Sequence, residues 1–97
     1  MGFSQQSNSS SEARTPKGKF AAKTESKELA KANGDRLALF ITNEGAKDVW
    51  LSLGSAAVAK EGIYLKEKGT PFELTGYSGA VFAITASEES NVCIAEI

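Results

Sequence analysis

The feature that most limits what this chain can become is its punctuation. From Arg36 onward, no apolar run extends much beyond about eight residues before Gly, Pro, Asn or a charged cluster interrupts it. RLALFITN, KDVWLSLG, GIYLKEKG, TPFEL, AVFAITA and VCIAEI succeed one another, separated by NEGA, the connector GSAAVAKEG, EKG, TGYSG and SEESN. Within the runs the apolar residues fall at every second position: Val49, Leu51 and Leu53 against Trp50 and Ser52, Ile63 and Leu65 against Tyr64 and Lys66. Phe72 with Leu74, and Val92 with Ile94, repeat the pattern. Side chains of a strand alternate between faces, so period two means strand. With KGKFAAKTE around Phe20 added, about seven short strands recur at a spacing of about 8–12 residues. The fold expected is all-β: a small antiparallel sandwich or barrel, jelly-roll-like or Ig-like.

Local expectations follow. Leu37, Leu39 and Ile41 share one face of the first strong strand and Ala38 and Phe40 the other, so that strand is expected to be covered on both sides. With the strand after NEGA it is expected to form a hairpin. Pro71 has no N–H for a ladder, which places the strand beginning there at a sheet edge. The connector GSAAVAKEG is too long for a tight hairpin and too short for a crossover helix. Its small residues permit close backbone approach, with Val58 expected as the inward anchor. Upstream, SKELAKANGD reads as a single helical turn capped by Ser26. Cys93, the only cysteine, lies within an apolar alternation and reads as a small buried hydrophobe in a reducing compartment.

Charge divides the chain. Residues 1–34 carry six Lys/Arg and three Asp/Glu, a net +3, whereas residues 35–97 carry five and nine, a net −4. The first 16 residues are rich in Ser, Gln and Asn and offer too little apolar surface to offset the entropy of ordering. The organisation expected is therefore an extended basic N-terminal arm, 1–34, disordered when free, on a β-sandwich body, 35–97. A body of that size buries only about 60% of its unfolded surface, a marginal amount for a lone domain. There is no run of apolar residues long enough to span a bilayer, no apolar core of a secretory signal, and Gln6 stands where myristoylation requires Ser or Thr.

Catalytic chemistry is thinly provided for. The chain contains no histidine, which removes Ser-His-Asp and Cys-His catalysis, and one cysteine cannot build a structural zinc site. Neither a Walker A sequence nor GxGxxG occurs. Glu88-Glu89 lies in a polar turn, and Glu44 with Asp48 makes too small an oxygen set for calcium. No catalytic group, cofactor or metal is expected. The lysines of the leader could give weak, salt-sensitive contact with phosphates, but only Phe20 is interleaved with them, so no sequence-specific nucleic-acid binding is expected. Trp50, Tyr64 and Tyr77 could form a stacking platform of a carbohydrate-binding module.

RLALFITNEGAKDVWLSLG, AAVAKEGIYLKEKG, YSGAVFAI and the closing VCIAEI together resemble a class of small tailed-phage virion proteins. The matching residues are Arg36, Asn43, Gly45, Asp48, Val49, Trp50, Leu51 and Gly54; then Gly62, Ile63, Leu65 and Gly69; then Tyr77, Gly79, Ala80, Val81, Ala83 and Ile84. Where that class often has Gly-Gly, this chain has Lys68-Gly69. The resemblance covers about two-thirds of the chain and none of residues 1–34. It implies a structural protein of a phage particle with a β-sandwich body: a decoration or cement protein of the head, on its outer surface, made in the host cytoplasm, or else a tail, fibre or head–tail connector component. It implies as partners the lattice of major capsid protein and copies of the chain itself, a trimer being favoured. An arm of 34 residues can extend about 110 Å, and Phe3, Arg14, Lys17, Lys19, Phe20 and Lys23 are expected to anchor it to the capsid. Phe40, Trp50, Tyr64 and Val58 are expected at a subunit interface.

Overall fold

The computed structural model of the chain describes residues 17–97. Eight strands are present among them: β1 (Lys17–Ala22), β2 (Lys27–Ala30), β3 (Ala38–Asn43), β4 (Val49–Leu53), β5 (Ile63–Leu65), β6 (Phe72–Thr75), β7 (Val81–Thr85) and β8 (Ser90–Glu96). They make two four-stranded antiparallel sheets, β1-β8-β3-β6 and β2-β7-β4-β5. Every connection except that between β4 and β5 passes from one sheet to the other. This is the winding of an eight-stranded jelly roll.

The period-two pattern fixes the core. Leu39 and Ile41 of β3, Val49 and Leu51 of β4, Val81 and Ala83 of β7 and Val92 of β8 point between the sheets and are fully buried. Phe20, Phe72, Leu74 and Ile94 pack against them from the flanking positions. Pro71 precedes an edge strand, β6, as its missing N–H requires.

Several expectations need correction. β3 and β4 are not a hairpin, because they belong to different sheets. Asn43 turns the corner between them. Its Nδ2 donates to the carbonyls of Lys47 (2.7 Å) and Leu65 (3.0 Å), and its Oδ1 accepts from the Gly45 N–H (3.1 Å) and the Ser90 hydroxyl (2.8 Å). A side chain thus replaces ladder bonds and carries the chain across the sandwich. Gly45 lies so close to Ser90 that a Cβ would collide with its Oγ. The hairpin instead joins β4 to β5 through the nine-residue connector. The expected helical turn at 26–30 is strand β2: Leu29 is buried in the core, and the Ser26 hydroxyl accepts from the Ala57 N–H rather than capping a helix. Leu37 lies just ahead of β3 and is 69% exposed. Cys93 is half-buried on the outer face of the first sheet, not in the core.

The boundary between arm and body moves as well. β1 pairs with β8 along its whole length, from Lys17↔Ala95 to Ala22↔Ser90, and β2 pairs with β7. Residues 17–34 therefore belong to the sandwich. Phe20 and Leu29 make the difference, each supplying an inward apolar residue to an otherwise polar stretch. With the boundary at residue 17, the charge asymmetry disappears. Residues 17–97 hold ten Lys/Arg and eleven Asp/Glu, and residues 1–16 hold one of each.

Arg36 pins the end of the sandwich where β3 begins. Its side chain is wholly buried. Nε donates to Glu96 Oε2 at 2.7 Å, Nη1 to the carbonyls of Gly79 (2.8 Å) and Tyr77 (3.2 Å), and Nη2 to the carbonyl of Lys31 (2.6 Å). Four acceptors from three segments converge on one guanidinium.

Two outcomes follow. A chain starting at Lys17 should fold with the cooperative unfolding of the full-length protein, whereas one starting at Asp35 loses two strands and should show no cooperative transition in circular dichroism; a cooperative melt from the shorter chain would refute the assignment of β1 and β2. Arg36→Ala should lower stability by about 3–5 kcal/mol in urea unfolding, because it leaves the Glu96 carboxylate buried without its partner.

Candidate interaction surfaces

Of the residues expected to anchor the arm, Phe3 and Arg14 lie outside the described residues. Lys17 is the first residue of the edge strand β1. Phe20 faces inward and packs on the core, so it is not offered to a partner. Lys23 is exposed just after β1, and its carbonyl accepts the Thr85 N–H at 2.8 Å. Lys19 points outward and pairs with Glu44 at 3.0 Å. Glu44 and Asp48 thus serve separate partners: Asp48 Oδ1 accepts the Glu67 N–H at 2.9 Å.

The four expected interface residues fall on opposite sides. Phe40 lies on the outer face of the first sheet, half-buried, opposite Glu73 and Ala95. Beside it, Cys93 stands opposite Lys19 on one side and Thr42 on the other. Lys19, Glu44 and Cys93 form a small polar group there. Glu44 is held below the usual carboxylate range, chiefly by the hydrogen bond from the Cys93 thiol and then by that from Lys19. The same carboxylate pushes the Cys93 thiol up, with burial adding to the effect, and raises Lys19.

Trp50 and Tyr64 share the outer face of the second sheet. Trp50 pairs with Tyr64 on one side and Ile84 on the other, and the aromatic rings lie 5.7 Å apart between centroids, tilted by 32°. Tyr64 is 52% exposed. Its hydroxyl is pushed above the usual phenol range, first by burial and then by its hydrogen bond to Asp48. Tyr77 is not part of this platform. It packs against the core, donates to the Ala80 carbonyl at 2.9 Å, and covers Gly79.

The connector between β4 and β5 shapes this face. The Ala57 N–H donates to Ser26 Oγ at 2.8 Å. Ser26 immediately precedes Lys27, which pairs with Ala83 in the middle of β7. To reach Ser26 from the end of β4 the connector must cross over β7, so it is a strap laid on the outside of the sheet. Ile84 is only 9% exposed although it points outward, as expected beneath such a strap. The anchor is Ala57, 5% exposed, and not Val58, which projects to solvent at 51%. A side chain smaller than valine suits a strand-to-strap distance set by the bond from the Ala57 N–H to the Ser26 hydroxyl. Gly62, with φ +91°, returns the strap to β5 against the Leu51 carbonyl, where a side chain has no room.

Where the strap descends, a cleft of about 280 Å³ opens over Trp50. Lys60 of the strap, Lys47 and Asp48 of the Asn43 corner, Glu67 of the β5–β6 turn and Ser87 of the β7–β8 turn surround it. Lys47, Lys60, Glu67 and Ser87 are not legible in the sequence because they come from four separate turns; Trp50 and Asp48 are. A second hollow, about 410 Å³, opens between the sheets beside β2 and is lined by Leu29, Leu39 and Ile94, with Glu96 already engaged by Arg36. Among the described residues, no three His, Cys, Asp or Glu side chains are placed to hold a metal ion, and no helix is long and apolar enough to cross a membrane. No protein-family model, curated protein or solved structure matches this chain.

The Glu44–Cys93 contact makes a checkable prediction. A thiol reacts as its thiolate, and the adjacent carboxylate disfavours that form. Iodoacetamide should alkylate Cys93 several-fold faster at mildly alkaline pH in Glu44→Gln than in the parent, with the midpoint of the pH–rate curve moved down. Equal rates at every pH would show that the carboxylate does not govern the thiol.

Proposed function

We propose that this chain is a non-enzymatic structural protein of a tailed-phage virion: a decoration or cement protein on the outer surface of the head, acting as a homo-oligomer, with a trimer favoured, on the lattice of major capsid protein. The observation that carries this reading is the distribution of solvent-facing apolar residues. Phe40 lies on one outer face, Trp50, Tyr64 and Val58 lie on the other, and Leu37 and Ile97, joined by the Leu37 N–H to Ile97 carbonyl bond of 2.7 Å, are exposed at the margin. A solitary binding module needs one contact surface. A member of a lattice needs at least two, one for its copies and one for the shell, and apolar residues on opposite faces supply them.

The residues that carry the resemblance to virion proteins support the reading in a second way. Arg36, Asn43, Gly45, Asp48, Gly62, Tyr77 and Gly79 each hold a corner or crossing of the jelly roll. Double-sheet jelly rolls recur in viral shells. Attachment, however, cannot rest on a 34-residue cationic arm, since Lys17, Lys19 and Lys27 lie in strands and Lys23 and Lys31 in the connections beside them; it falls to the outer faces together with residues 1–16.

The test is a binding assay with phage heads assembled without this chain. Purified protein should co-sediment with them and raise their melting temperature, and a reconstruction should place copies across the shell in numbers that follow its lattice. Phe40→Asp and Tyr64→Asp, on opposite faces, should impair shell binding and self-association separately. Copies confined to one vertex or to the tail would move the assignment to a connector or fibre, and no association with particles would end it.

A further inference from the structure

The hollow beside β2 is apolar, and the polar groups at its margin already have partners. Leu29, Ala30, Leu39 and Ile94 line it. Glu96 is bound by the Arg36 guanidinium, the Lys31 carbonyl accepts from the same group, and Asn33 Oδ1 accepts the Asp35 N–H at 3.0 Å. A strongly hydrogen-bonding occupant finds little to bind there, whereas an apolar one buries surface without stranding a polar group. The hollow has a cause in the sequence. Phe20 packs on the core and Ala22 is buried, so the inward row of β1 runs Gly18, Phe20, Ala22. Gly18 stands opposite Ile94. The edge strand thus brings no side chain to the inward position beside Ile94, where the hollow lies.

The point where the rest of the chain attaches decides what fills it. β1 starts at Lys17, opposite Ala95, and Ala95 lies between two residues of the hollow, Ile94 and Glu96. Residues 1–16, outside the described residues, therefore join the fold beside the mouth of the hollow. Their only large apolar side chains are Met1 and Phe3; residues 4–16 are polar apart from Ala13 and Pro16. The stretch from Phe3 to Lys17 can extend about 46 Å, whereas Lys17 stands one strand spacing, about 5 Å, from β8. We propose that Phe3 of the same chain seats its ring in this hollow, so that the N-terminus doubles back and plugs the end of the sandwich. A cavity of about 150 Å³ holds benzene, so the hollow, about 410 Å³, takes the Phe3 ring and leaves room for Met1. The tether presents that ring at an effective concentration of about 1 mM, which Phe3 of a second copy does not match in micromolar protein. Residues 4–16 stay available to a shell, and the plug is a property of the isolated chain. Its failure leaves the virion reading intact, and the converse also holds.

Two measurements on the full chain test the plug. In methyl NMR, the ring should hold the methyl resonances of Leu29, Leu39 and Ile94 upfield, and Phe3→Ala should return them downfield by the same amount at every protein concentration. In a Cys93→Ser background, the cysteines introduced by Ser4→Cys and Lys31→Cys should form a disulfide within one chain. Adding Phe3→Ala should slow that reaction by about tenfold or more, the loss expected when one buried aromatic side chain no longer holds the segment in place. The proposal is overturned if the three methyl resonances do not move in Phe3→Ala, or if the disulfide forms as fast without the ring. It is equally overturned if the methyl shifts fade on dilution or the disulfide joins two chains, results that give the hollow to a second copy.

Discussion

A single buried guanidinium holds the open end of this sandwich together. Arg36 stands at the start of β3 and joins β8 through Glu96, the end of β2 through Lys31, and the β6–β7 turn through Tyr77 and Gly79. A planar fork with five donors can serve four acceptors at once, and no other side chain has that geometry. Asn43 does the corresponding work at the far end of the same strand, gathering the Lys47 and Leu65 carbonyls, the Gly45 N–H and the Ser90 hydroxyl. The central strand is thus fastened at both ends by buried polar side chains, while its middle contributes Leu39 and Ile41 to the core. The direction in which Asn43 sends the chain decides where Asp48 and Trp50 appear, and hence what the second outer face looks like.

Strands and their inward faces were legible in the sequence because they depend on local alternation. Val49, Leu51, Ile63, Leu65, Phe72, Leu74, Val92 and Ile94 all face inward as their spacing predicts. Pairing was less legible. Alternation states which side of a strand is buried but not which strand lies beside it, so β3 and β4 were read as a hairpin although a side chain redirects the corner between them. For a related reason the edge strand β2 reads as a helical turn, and the edge strand β1, although legible around Phe20, reads as part of the leader. β1 and β2 each bring one large apolar residue to the core, Phe20 and Leu29, amid lysines and glutamates that remain in solvent. By composition such strands resemble a solvated leader. The +3 of residues 1–34 comes from these strands and their connections, residues 1–16 being neutral by count.

The outer faces show how the same sequence can be economical with its surface. On the second sheet, a strap of small residues covers Ile84 and leaves Trp50 and Tyr64 at its margin. On the first, Phe40 stands half-buried between Glu73 and Ala95, next to the Thr42–Cys93 pair. The two faces differ in chemistry: one carries the Trp50–Tyr64 ring pair beside the Lys47–Glu88 ion pair, the other Phe40 with the Lys19–Glu44–Cys93 group at one side. A protein that must meet unlike neighbours on its two sides has use for that difference.

Because β1 lies against β8, the earliest described strand to leave the ribosome has no partner until nearly the whole chain has been made. Almost every turn of the backbone also shuttles between layers, so few neighbours in space are neighbours along the polypeptide. Such wiring has few local contacts and folds slowly, only once β8 has emerged. Until then Phe20 and the apolar faces of the nascent strands stand uncovered, the exposure that makes slow-folding β chains prone to aggregate.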